Sequence, residues 1–285
     1  MQIMKGTLLE WDVYVAPGIP VVSDDLPPDE TQMLWSPTSS TLIYGERDAV
    51  LVDALLTVKE AEALVTWIDV HDKRLTTIYA THGHGDHCFG ASVVLQRFRS
   101  ARFVATTGVI TIMREQASPE TLKRRWRQRF PGQVVDHPVI AVPLQGNTID
   151  LEGHELIPIE VGHTDTDNTT CLHVPDLGLV VAGDVVYNDV HVYLGESDHQ
   201  QREAWLYALD TVEALSARAV IAGHKRPGSD DDPKNIEATR QYIRDFDRLM
   251  RTTTSAIELY EQMLDLYPDR VNRGALWLSA NGATR

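Results

Sequence analysis

Only two cysteines occur among the 285 residues, Cys88 and Cys171, too few for a disulfide scaffold. No stretch approaches the roughly 20 apolar residues that a bilayer-spanning helix needs. The first residues, Met1-Gln2-Ile3-Met4-Lys5-Gly6, lack the basic stretch and apolar run of a secretory leader. A soluble cytoplasmic protein is the resulting expectation. Basic residues are also scarce: 26 Lys and Arg stand against 41 Asp and Glu, a formal net charge of −15. Affinity for a polyanion comes largely from lysine and arginine on phosphates, so nucleic acid is not an expected partner, whereas a small molecule is. One local exception, Lys123-Arg124-Arg125-Trp126-Arg127-Gln128-Arg129, reads either as a solvated helix face or as a basic patch.

Histidine, by contrast, is concentrated. The segment Thr81-His82-Gly83-His84-Gly85-Asp86-His87 places three imidazoles and a carboxylate within six positions. Neutral imidazole offers a nitrogen lone pair without the full desolvation penalty of an anion, so it is the commonest metal-ligating side chain. Four such groups on one turn imply a bound cation. The preceding run, Leu75 to Ala80, is β-branched and apolar like a buried strand, and Val94, Leu95 and Phe98 recur at helical spacing just after it. The histidines therefore sit on a strand-to-helix turn, with Gly83 and Gly85 letting it fold tightly around an ion. Three further candidates each end an apolar run: His163 after Ile157 to Gly162, Asp184 after Gly178 to Gly183, and His224 after Ala219 to Gly223. The isolated His71, His137, His154, His173 and His199 are assigned no role. Cys88 and Cys171 read as small buried apolar side chains.

This ordered set resembles the metallo-β-lactamase superfamily, whose HxHxDH motif is matched by His82, His84, Asp86 and His87, with the later motifs following in order to His224. The resemblance implies an α/β fold, a four-layer αββα sandwich of two similar halves with metals at one edge of the paired sheets. It implies that His82, His84 and His163 hold one ion, that Asp86, His87 and His224 hold a second, and that Asp184 bridges the two. Asp53, which ends the run Val50 to Val52, would support the histidine loop. Two Zn2+ per chain are expected, although nitrogen and oxygen donors also suit iron or manganese. A bridging hydroxide would be the nucleophile, because coordination lowers the pKa of bound water towards ~7. Asp86 would serve both as ligand and as proton shuttle. The expected function is a zinc-dependent metallohydrolase cleaving a small ester, lactone or thioester. A β-lactam hydrolase of the same superfamily and a mononuclear iron enzyme of the sulfur-dioxygenase type are the alternatives. Asp184 favours the lactonase, thioesterase and glyoxalase II relatives, since β-lactam-hydrolysing branches usually carry a cysteine or a non-ligand there.

Strands and helices alternate along the chain, so one domain over 1–285 is expected, long enough for a sizeable core. Helical periodicity runs from Val58 to Val70 and from Gln201 to Leu215, and strands are expected near Leu8 to Val15, Ser40 to Tyr44, Ala49 to Val52 and Arg102 to Ala105. A helical insertion over 110–137, carrying the basic run and Trp126, reads either as a lid over the metals or as a plain elaboration or dimer contact. A C-terminal helical extension covers 233–285. It starts at Asp232-Pro233 with an apolar face of Ile236, Ile243, Phe246 and Met250, continues through Ile257, Tyr260 and Leu264, and breaks at Tyr267 to Arg270 before a tail with Leu276 and Trp277. That face is expected to cover the core or a second subunit, so a homodimer stays open. Tyr187, three residues after Asp184, resembles the lactonase tyrosine that hydrogen-bonds a substrate oxygen, against the plainer reading of a core or rim residue. His191 and Tyr193 follow it as candidates. Lys225 reads as a holder of substrate carboxylate or as a surface lysine. The segment Gly162 to Asn168 departs from the family's commoner GHTxG ending, with Asp165 and Thr166 where glycine is frequent.

Overall fold

The run Asp48–Val52 shows why its sheet must be covered on both faces. Ala49 and Leu51 enter one apolar cluster and Val50 and Val52 another, all four shielded from solvent. A strand that is apolar on both sides has to lie between two packed layers. Leu179 to Ala182 alternates in the same way, with Leu179 and Val181 on one face and Val180 and Ala182 on the other. The computed structural model describes residues 8–283; the segment Met1 to Gly6, read above for a leader, lies outside them.

The first half comprises β1 (Glu10–Ala16), β2 (Pro20–Val21), β3 (Met33–Leu34), β4 (Thr38–Tyr44), β5 (Asp48–Val52), α1 (Val58–Val70), β6 (Arg74–Tyr79), α2 (Gly85–Cys88), α3 (Ala91–Arg97), β7 (Arg102–Ala105), α4 (Thr107–Gln116), α5 (Pro119–Thr121), a π-helical stretch (Leu122–Arg127) and β8 (Val142–Pro143). The second comprises β9 (Ile149–Leu151), β10 (His154–Gly162), β11 (Thr169–Val174), β12 (Leu179–Asn188), α6 (His199–Ala214) and β13 (Ala219–Lys225), before α7 (Lys234–Met250), α8 (Ala256–Leu266) and α9 (Arg273–Ala283). The strand order is β8-β7-β6-β5-β4-β13-β12-β11-β10-β9, with β1 paired to β4. The halves join where His224 of β13 stands opposite Thr38 of β4. Their inner faces then meet: Val50, Val52 and Tyr79 share one cluster with Leu172, Val174 and Val181. Helices α1 and α3 pack together on one outer face, and α6 and α7 on the other. This is the expected four-layer αββα sandwich.

Local signals explain most boundaries. Helix α1 begins where Thr57 and Glu60 form a capping box, Glu60 N donating to Thr57 Oγ1 at 3.2 Å and Thr57 N donating to Glu60 Oε2 at 3.0 Å. The C-terminal region differs from its sequence reading in one respect. Ile257 is exposed, and α8 buries Leu259 and Met263 alongside the expected Tyr260. Beyond the break the tail forms α9, with Leu276 and Trp277 buried. Among the described residues no helix is long and apolar enough to cross a membrane.

The histidine turn is glycine-rich because of its neighbours. A Cβ on Gly83 would lie 2.6 Å from both Ile112 Cβ and Met113 N of α4, and one on Gly85 would lie 2.7 Å from the Phe89 ring and 2.8 Å from Trp126. Neither glycine has a positive φ. Close packing under the loop, rather than curvature around an ion, excludes a side chain there. Gly83→Ala therefore pushes on helix backbone and is expected to destabilise the fold by about 1–3 kcal/mol. The urea midpoint measures this; an unchanged midpoint contradicts the packing account.

Candidate metal centre

Parallel pairing of β5, β6 and β7, and of β12 and β13, brings their C-terminal ends to one edge of the sandwich. That edge is where open α/β sheets present ligands. Asp53 follows β5, the histidine turn follows β6, Asp184 lies in β12 and His224 in β13. Two compact donor groups result, His82 with His84 and Asp165, and Asp86 with His87 and His224, with Asp53 close to His82 and His87 between them. Asp184 joins the second, its Oδ1 3.1 Å from His87 Nε2 and its Oδ2 3.2 Å from His224 Nε2. Its charge also acts on His82 and Asp165 of the first.

The outer hydrogen bond of each ring decides which nitrogen faces inward. Asp53 Oδ2 accepts from His87 Nδ1 at 2.9 Å, and the Pro37 carbonyl accepts from His224 Nδ1 at 3.1 Å, so both rings turn Nε2 to the site. Thr81 Oγ1 donates its single proton to Asp53 at 2.8 Å and can only accept from His82 Nδ1 at 3.1 Å. His82 Nε2 is then a lone-pair nitrogen, buried and without a hydrogen-bond partner. His84 is reversed: Nε2 faces Glu196 at 3.4 Å, leaving Nδ1 2.7 Å from Asp165. Four imidazoles turning their inner ring nitrogens toward buried carboxylates fit a cation, and no thiolate intrudes. Cys88 Sγ instead lies 3.8 Å from the Gly83 carbonyl, and burial raises its pKa well above the usual thiol range.

Charge within the cluster is balanced internally. Burial works against protonating His84, but the Asp165 carboxylate outweighs it and holds the imidazole pKa at about 10. For His82 burial prevails over Asp165 and the pKa falls. Burial favours a neutral Asp184, yet His224 and His87 hold its pKa well below the carboxylate range.

His163 is not brought into either group. The register shift between Glu160 and Gly162 and a turn from Thr164 N to the Thr166 carbonyl tuck Asp165 inward, 3.6 Å from His82 Nε2. The His163 ring is held instead by exposed Asp167, Nδ1 to Oδ1 at 2.7 Å, with Nε2 buried and unpartnered. An acid replacing the usual glycine was the available signal for this arrangement. Trp35 left none: its Nε1 donates to Asp86 Oδ2 at 2.9 Å from a segment with no motif.

A pocket opens over the donors, lined also by Tyr187, Tyr193, Arg125, Arg129 and residues of α9. Tyr187 is buried and its hydroxyl donates to Asp184 Oδ2 at 2.8 Å. Burial, then the Asp184 charge, raise its pKa well above the usual phenol range. Trp126 is core rather than lid surface, packed edge-on to Trp35 and Phe89 with its Nε1 on Gln116. Lys225 fits neither sequence reading, being buried and ion-paired with Asp231 away from the pocket. His191 points to the Tyr242 hydroxyl at 3.0 Å and also stands apart.

The donor motifs agree with what the chain is similar to. A family model described as the metallo-beta-lactamase superfamily matches residues 33–224. A search of curated proteins returned no match. Among solved structures, a metallo-beta-lactamase family protein from Thermus thermophilus is 20% identical with a TM-score of 0.64, covering 95% of this chain and 91% of that one. A metallo-beta-lactamase from Pontibacter korlensis is 16% identical with a TM-score of 0.59, covering 84% of this chain and 100% of that one. At such identities these structures speak for the fold alone. The family match, however, spans most of the chain and takes in both donor groups, and by it this chain belongs to the metallo-beta-lactamase superfamily.

Proposed function

We propose that this metal-dependent hydrolase cleaves a small ester, lactone or thioester at a site for two ions, zinc by preference. The observation that carries the reading is the convergence of four buried imidazoles on Asp86, Asp165 and Asp184. In this reading His82, His84 and Asp165 hold one ion, Asp86, His87 and His224 the other, and Asp184 is shared. His163, which lies in neither donor group, is left out of both sets. Nitrogen and oxygen donors without thiolate suit zinc, with iron and manganese as substitutes.

When bound, the ions supply a hydroxide nucleophile at neutral pH and polarise the substrate carbonyl. Asp86, oriented by Trp35 Nε1, holds the attacking water's proton and passes it to the leaving group. The Tyr187 hydroxyl is shared between Asp184 and the oxygen on which charge develops, a contact that strengthens towards the transition state. The buried floor of Trp126 and Phe89 keeps bulk water from the underside of the donors.

Two measurements test this reading. In metal analysis after dialysis, Asp165→Asn is expected to lose one equivalent while His163→Gln keeps both; the opposite pattern restores His163 as ligand. In a hydrolysis screen of lactones, thioesters and β-lactams, Tyr187→Phe is expected to cost about 10²-fold in kcat on the preferred substrate. Asp86→Asn should cost at least about 10²-fold. Cleavage of β-lactams alone, or full activity in Asp86→Asn, refutes the assignment.

A further inference from the structure

Arg129 is a pocket cation to which the proposed chemistry gives no part. It stands one helical turn beyond Arg125, and both line the pocket that holds His84, Asp86, Asp184 and Tyr187. Their partners differ. Arg125 is ion-paired with Glu196, the carboxylate that also faces His84. Arg129 is half-buried, and among the described residues its side chain has neither an ion pair nor a hydrogen bond. Its guanidinium lies instead 5.8 Å from the centre of the Trp35 ring, the same ring that orients Asp86. Burial and then the Arg125 charge depress its pKa, and the carboxylates of Glu196 and Asp86 offset them only in part. A guanidinium partly withdrawn from water without a counter-ion is a gap in the charge balance that a ligand anion would fill.

We propose that Arg129 docks a carboxylate carried by the substrate, so that the scissile carbonyl lies over the donor groups and the substrate's anionic end lies on this arginine. The inference rests on the hydrolase reading above and narrows its substrate class. One uncompensated positive charge suits a monoanion. At the anion end, away from the ions, a dianion such as a phosphate monoester would set two charges against one free guanidinium beside the Glu196 carboxylate that Arg125 already balances. The planar guanidinium matches a carboxylate through two parallel hydrogen bonds. Met33, Leu34, Ala275 and Leu278 give the same pocket an apolar wall, which suits a hydrocarbon segment between the two ends. Arg129 and Tyr193 also border a shallower outer groove with Glu120 and Arg124, through which the anionic end reaches solvent. Lys225, the other cation considered for a carboxylate, is already neutralised by Asp231.

The test uses the metal-loaded full chain and has one binding and one kinetic readout. Calorimetric titration compares 4-phenylbutyrate, its neutral analogue 4-phenylbutanamide and the dianion phenyl phosphate. Kinetics compare the 4-nitrophenyl half-ester of succinate with 4-nitrophenyl pentanoate. The acid is expected to bind more tightly than the amide and than phenyl phosphate. Arg129→Gln, with unchanged metal content, is expected to weaken acid binding about 10- to 100-fold and to reduce the preference for the anionic ester by a similar factor. Arg129→Lys, which keeps the charge and the stem, is expected to retain part of both. Unchanged acid affinity in Arg129→Gln overturns the proposal, whether or not either ester is cleaved. Tighter binding of phenyl phosphate than of the acid overturns the monoanion assignment. Cleavage of neither ester by protein of full metal content counts against the hydrolase reading instead, and the calorimetric result then decides the anion site alone.

Discussion

Asp53 is the constraint on which the rest of the site depends. It sits in left-handed backbone at φ 61, just past β5, and from there its carboxylate accepts from Thr81 N, Thr81 Oγ1 and His87 Nδ1. Those bonds tie the end of one strand to the turn that follows its neighbour. They also settle ring chemistry at two removes: His87 turns Nε2 inward, and Thr81, having spent its proton on Asp53, leaves His82 Nε2 as an acceptor. A short aspartate tolerates this backbone better than most residues, because its side chain can bond locally. The donor geometry is thus set before any ion arrives, which is the condition for tight and selective coordination.

Second in the hierarchy is the junction of the halves. His224 faces the site through Nε2 because Pro37, on the segment leading into β4, accepts from its Nδ1, and the pairing with Thr38 fixes its height. Candidate donors from both halves are therefore held by the same seam that closes the sandwich. The donor edge coincides with the strand pairing in which His224 stands opposite Thr38. Binding of ions there would be expected to stabilise the junction as well as the site, since a ligand that binds only the folded state shifts the folding equilibrium.

Much of this was legible in the residues. Clustered histidines, β-branched runs and strand-end glycines carry local signals, and so the helix Val58–Val70 and the strand Arg102–Ala105 match their sequence readings at both ends. What escaped depends on contacts between distant segments. Asp165, rather than His163, lies beside His82 and His84 where a bulge and a turn rotate the loop, and periodicity does not encode rotation. Trp35 reaches Asp86 across 51 positions, and α9 contributes a pocket wall from beyond the end of the family match. Arg125 and Arg129 belonged to a basic run that read mainly as a solvated face, and only the fold shows that the first is neutralised by Glu196 while the second is not. Lys225 shows the converse: its place beside His224 suggested a substrate contact, and burial against Asp231 removes it.

The central claim is that two sets of pre-oriented donors each hold an ion and share Asp184. Anomalous diffraction at the zinc edge, on crystals grown with zinc, tests it most directly. Two peaks about 3.5–4 Å apart are expected, one bounded by His82, His84 and Asp165 and the other by Asp86, His87 and His224, with Asp184 contacting both. A single peak, or none among these residues, would contradict the account.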